Sequence, residues 1–219
     1  MDAGFIDLLS RFSHILFGVC WIGLLYYFNF VQTEYIKVGE AAAKVDVLSK
    51  LAPRALWWFR WAAMFTFLTG LILLGLKGAG LTLDIGVGAT LGTLMFLNVW
   101  LIIWPNQKIV VGSNQQVAAG GQADPAAAAA GPKAGLASRT NTLFSVPMLL
   151  FMVSSAHLPN GSLLDDSANM LPFLVALAII AALEANAIFG KQGVMTTVNG
   201  VITSSVVLAV VLYGVVTLL

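Results

Sequence analysis

Apolar residues run along this chain in long blocks, and polar residues collect in the gaps between them. Six blocks approach or exceed the roughly 20 apolar residues that a helix needs to cross about 30 Å of hydrocarbon. They cover residues 5–30, 57–76, 81–104, 141–158, 171–190 and 195–219, the fourth being the shortest. Lipid offers no partners to backbone N–H and C=O groups, so apolar segments of this length must be helical. The expected fold is therefore all-α, a polytopic membrane helix bundle of about six transmembrane helices forming a single membrane domain over 1–219.

Two gaps have their own character. Residues 34–54 mix charges with apolar positions, which predicts an amphipathic connector lying at the membrane surface. Residues 112–138 are low-complexity Gly, Ala and Gln, which predicts a flexible or marginally helical linker without chemistry of its own.

Composition agrees with the pattern. Of 219 residues, 59% are hydrophobic and 10% charged, whereas a soluble domain carries about a quarter charged residues. A net charge of +1 gives no basis for nucleic-acid binding. Cys20 is the only cysteine, which excludes an internal disulfide, a CxxCH haem-attachment site and cysteine-held zinc or iron–sulfur centres. The first apolar run follows Asp2 and Asp7 rather than a basic region and is expected to be a span rather than a cleaved signal peptide.

Basic residues set the expected orientation. Lys37, Lys44, Lys50, Arg54, Arg60, Lys108, Lys133, Arg139 and Lys191 fall on one side, and only Arg11 and Lys77 on the other. The positive-inside rule puts the first set in the cytoplasm. Both termini, and the acidic connector with Asp165 and Asp166, are then expected on the periplasmic side of a bacterial inner membrane. Trp57, Trp58, Trp61 and Trp104, with Arg60, fall at the inner ends of segments two and three, as an interfacial belt would.

The chain has two histidines, His14 in the first segment and His157 closing the fourth. The charge-derived topology puts both in the outer leaflet. An imidazole in hydrocarbon needs a hydrogen bond or a metal. Two at similar depth on different helices are candidate axial ligands of one haem b iron. Gly18, at i+4 from His14, would leave room for a flat macrocycle, Trp21 lies one turn further, and Arg11 would meet a propionate. The other readings are histidines satisfied in the packing, a hydrogen-bonded helix contact or a hydrated proton path. Glu184 is read as a polar contact between helices or a proton relay. Gly88 and Gly92, spaced as GxxxG, are read as close helix packing, Pro147 as a kink, and Asn98 as a residue requiring an interhelical partner.

Several stretches together resemble a known family. FSHILFGVCWIGLLYYFNF (12–30), ALWWFRWAAMFTFLTGLILL (55–74), NVWLIIWPNQK (98–108) and SRTNTLFSVPMLLFMVSSAHL (138–158) are similar to the N-terminal membrane domain of bacterial membrane-bound urate oxidases. The match rests on His14, Trp21, Trp58, Arg60, Asn141, Pro147 and His157. It implies a shared fold, a shared haem b at His14 and His157, and a membrane-bound oxidoreductase system. Full-length members carry a c-type cytochrome domain after the membrane part. This sequence has no CxxCH, so a separate c-type cytochrome or a quinone-linked complex is the expected electron partner. The competing expectations are a non-catalytic scaffold subunit of a larger respiratory or photosynthetic complex, and a small proton-coupled transporter using Glu184.

Overall fold

The computed structural model describes residues 2–165 and 167–219. Asp166, half of the acidic pair noted above, lies outside them. Nine α-helices form six continuous rods among the described residues. In the first, α1 (Ala3–Tyr26) continues through a π-helical stretch, Tyr27–Gln32, into α2 (Thr33–Val38). In the second, α3 (Ala41–Asp46) passes through π-helical Val47–Leu51 into α4 (Ala52–Lys77). In the third, α5 (Leu83–Leu97) passes through π-helical Asn98–Ile103 into α6 (Trp104–Ala118). The last three rods are α7 (Ala127–His157), α8 (Leu171–Phe189) and α9 (Val198–Leu218). All six are long and apolar enough to span a bilayer.

Side-chain registers fix how the rods run. Phe17 meets Phe65 and Phe28 meets Phe59, so α1 and α4 are antiparallel. A Cβ on Gly88 would lie 3.2 Å from Phe151 Cβ, and one on Gly92 would lie 3.9 Å from Met148 Cγ. These contacts make α5 antiparallel to α7, and at Gly88, where the Met152 N would also lie 3.4 Å from that Cβ, the missing side chain lets the two backbones approach. Ser205 reaches Leu143, and Phe151 faces Tyr213, so α9 runs parallel to α7.

The helix α7 is the centre of the bundle. Phe144, Phe151, Asn141 and Ser145 are fully buried on it. The sequence pattern gives this rod the shortest apolar block, yet it has 31 residues and begins inside the stretch expected to be a linker. Ala130, Ala134 and Ala137 of that stretch are buried. A central helix touches other helices rather than lipid. It therefore needs small side chains for close approach, not a continuous apolar surface. Only residues 119–126 remain outside regular helix between α6 and α7.

The 34–54 connector likewise differs from a separate surface helix. It is the end of one rod and the start of the next, broken where Gly39 and Glu40 take extended backbone.

Prolines inside the rods free carbonyls, and hydroxyl and amide side chains from other rods take them up. Pro147 leaves the Leu143 carbonyl without its helical donor, and Ser205 Oγ donates to it at 2.7 Å. Pro53 does the same to Ser49, whose carbonyl accepts from Gln115 Nε2 at 3.3 Å.

Candidate functional site

His14 sits in the α1–α4 interface. Its Nδ1 is 2.9 Å from the Thr66 carbonyl and 3.2 Å from Thr69 Oγ1. A carbonyl only accepts, so Nδ1 carries the proton, and in the neutral imidazole the lone pair is then on Nε2. Gly70 makes the position possible, since a Cβ there would come within 3.2 Å of His14 Cε1. Thr66 and Thr69 turn their hydroxyls back onto α4, at 2.8 Å to Ala62 O and 2.6 Å to Phe65 O.

The other residues expected near a haem are placed as follows. Gly18 faces α4: a Cβ on it would lie 3.9 Å from the Thr66 methyl, in ordinary contact. Trp21 is buried in the core, with its indole Nε1 unpartnered among the described residues. Arg11 Nε donates to Asp7 Oδ2 at 2.7 Å, in a pair exposed at the end of α1. His157 is the last residue of α7 and is exposed. No hydrogen bond joins it to His14 among the described residues. The rods carrying the two histidines meet lower down, where Tyr26 OH donates to Ser145 Oγ at 2.9 Å and Asn29 Nδ2 to Ser138 Oγ at 2.8 Å.

For a haem, the fit differs between the two histidines. A metal-bound histidine almost always gives its second ring N–H to a carbonyl or carboxylate, which fixes the tautomer and aims the free nitrogen. His14 has that arrangement through Thr66. His157 is accessible and has no such bond among the described residues.

Asn98 and Glu184, both expected to take partners between helices, bond to each other. Asn98 Nδ2 donates to Asn141 Oδ1 at 3.0 Å and to Glu184 Oε2 at 3.1 Å, and Asn141 Nδ2 donates to the Met95 carbonyl at 2.9 Å. One amide therefore uses both hydrogens to tie α7 and α8 to the third rod. Asp84, in the first turn of α5, is fully buried. Its Oδ1 accepts from Ser154 Oγ at 2.7 Å and Asn160 Nδ2 at 3.1 Å, and its Oδ2 from the Asn160 N–H at 2.6 Å. Helix N-termini favour a carboxylate. The signal in the sequence is the Thr82-Leu83-Asp84 start, in which Thr82 Oγ1 caps Ile85 N at 3.2 Å.

At the other end of the bundle, the Arg60 guanidinium lies 3.8 Å from the centroid of the Trp104 ring, and Lys108 lies 5.6 Å from it. Trp57 and Trp58 are exposed beside them. This is the geometry of an aromatic belt with cations stacked on it. Arg139 lies nearby at 3% exposure, facing a small cavity. Of the nine basic residues expected on the cytoplasmic side, Arg139 alone is buried.

These features define a multi-pass helical membrane protein with polar sites between its helices. Residues 79–217 match the family described as urate oxidase N-terminal, and the chain belongs to that family. No curated protein and no solved structure matches the sequence. The matched region includes Asn98, Arg139, Asn141, Pro147, His157 and Glu184. Arg11, His14, Gly18 and Trp21 precede it, as do Trp58 and Arg60.

Proposed function

We propose that this chain is the membrane-embedded part of a urate-oxidase-like oxidoreductase system and binds one haem b, which His14 and His157 would hold. Family membership supports the first half of this reading. The observation that carries the second is the bond from His14 Nδ1 to the Thr66 carbonyl at 2.9 Å. It leaves Nε2 as a free donor of electrons in a helix that crosses the membrane, and it opposes rotation of the ring. A haem there would supply one-electron transfer between a partner and the membrane.

In this reading the residues of the chain have distinct tasks. Thr66 and Thr69 hold the His14 tautomer. Trp21 and the α1–α4 packing keep water from the core side. Arg11 offers a cation to a propionate, in competition with Asp7. A c-type cytochrome supplied by a partner, or a quinone-linked complex, takes or gives the electron. The basic end of the bundle faces the cytoplasm of a bacterial inner membrane.

A reduced-minus-oxidised spectrum of the purified protein tests the proposal. One non-covalent haem with a sharp low-spin α-band is expected, lost in His14→Ala and in His157→Ala. Thr66 bonds through its backbone, so Thr69→Val, which removes only the second partner of Nδ1, should keep haem but shift its potential. A folded protein that binds no haem on reconstitution, or a low-spin spectrum unchanged in both histidine variants, overturns the assignment.

A further inference from the structure

At the basic end of the bundle, a cavity of about 150 Å³ opens between the π-helical stretch Tyr27–Gln32, α4, α6 and the beginning of α7. Two polar groups in its wall are buried and unsatisfied. Arg139 is 3% exposed, and its Nη1 has no hydrogen-bond partner among the described residues. Its Nη2 is 3.7 Å from Glu34 Oε1, an oxygen that Lys37 Nζ already holds at 2.7 Å. Gln32 Oε1 is likewise buried without a partner among the described residues. The same cavity therefore has a cationic donor and a neutral acceptor, both unused.

The rest of the wall narrows the chemistry. Gln107 and Gln192 add amides, and Phe28 and Phe59, edge to face with centroids 5.5 Å apart, add a flat apolar side. Lys37, half exposed, is the second cation of the lining. Buried polar groups in native structures are satisfied with few exceptions, and an exception asks for an explanation. A guanidinium is a planar fork of donors that matches a planar oxoanion. The Gln32 oxygen requires a donor on the same ligand. A cavity near 150 Å³ has room for a benzene-sized ring.

We propose that the Arg139 cavity binds a small planar, single-ring anion that carries an oxyanion group for Arg139 Nη1 and an O–H or N–H group for Gln32 Oε1. Phe28 and Phe59 together form the apolar wall against the ligand, and Lys37 draws the anion to the site. The site uses neither histidine, so it stands or falls independently of the haem.

Calorimetric titration of the full chain in zwitterionic nanodiscs tests this, with 3-hydroxybenzoate, benzoate and inorganic phosphate as probes. Saturable binding of 3-hydroxybenzoate is expected, tighter than benzoate and phosphate, and unchanged in His14→Ala. Arg139→Lys keeps the charge but loses the fork and should weaken binding at least tenfold. Gln32→Leu should bring 3-hydroxybenzoate down to the level of benzoate, and it remains informative should the Arg139 variant not fold. No saturable binding of 3-hydroxybenzoate, phosphate binding more tightly than both aromatic acids, or affinities untouched by Gln32→Leu would overturn the proposal.

Discussion

The Ser205 hydroxyl donates to the Leu143 carbonyl at 2.7 Å, and that carbonyl is the one Pro147 deprives of its helical N–H. A proline on α7 and a serine on α9 are thus one device. Ser205 is fully buried, with its Oγ also 3.1 Å from the Thr142 carbonyl. Removing the hydroxyl should cost about 1 kcal/mol, within the range for hydrogen bonds between membrane helices. Pro147→Ala restores the N–H, so Ser205→Ala should cost less in that background. Equal costs in both backgrounds, measured by unfolding in a double-mutant cycle, would show that the two residues do not act together.

The Asn98 amide predicts an asymmetry between its partners. Glu184→Gln keeps an oxygen acceptor for Asn98 Nδ2 and should leave folding nearly unchanged, with no effect on proton uptake. Asn98→Leu leaves both Asn141 Oδ1 and Glu184 without their donor and should cost about 1–3 kcal/mol. Thermal unfolding in detergent compares the two. Proton coupling abolished in a well-folded Glu184→Gln protein would instead make Glu184 a relay.

Asp84 closes the opposite end of the bundle by holding Asn160 through both its backbone and its side chain. Asp84→Ala should release residues 158–165 from α5 while the core stays folded. Hydrogen exchange should rise at the Leu83 and Leu163 amides, which bond to Asn160 O and Leu81 O at 3.1 and 2.9 Å. Unchanged protection at these amides would show that Asp84 is dispensable to the clamp.

The expected orientation is open to a direct measurement. Reporter fusions in the 119–126 turn should read cytoplasmic, and a fusion after Leu219 periplasmic, because nine basic residues stand on the first side and two on the second. Asn169 Nδ2 donates to the Leu219 carbonyl at 3.1 Å, so the C-terminus shares the side of the 158–170 connector. A periplasmic signal at 119–126 would reverse the whole arrangement.

The sequence by itself determined the solvent, the number of crossings and the packing role of Gly88. Lipid forces helices, and helix length follows from bilayer thickness, so uninterrupted apolar blocks are enough to count spans. GxxxG at Gly88 and Gly92 could be read as packing because only a missing side chain permits such approach, and the demand of Asn98 for an interhelical partner followed from the cost of an unbonded amide in hydrocarbon. Only the tertiary structure decided which partner each polar group takes. It turned Arg139, an orientation signal by composition, into the buried wall of a cavity, and made the small-residue stretch before Asn141 part of the central helix. It gave Asp84 a role as a clamp, and it seated His14 on Thr66, some 50 residues away in sequence. These outcomes depend on which helix faces stand opposite one another. Hydropathy is blind to that choice, because a residue facing lipid and a residue facing another helix are both simply out of water.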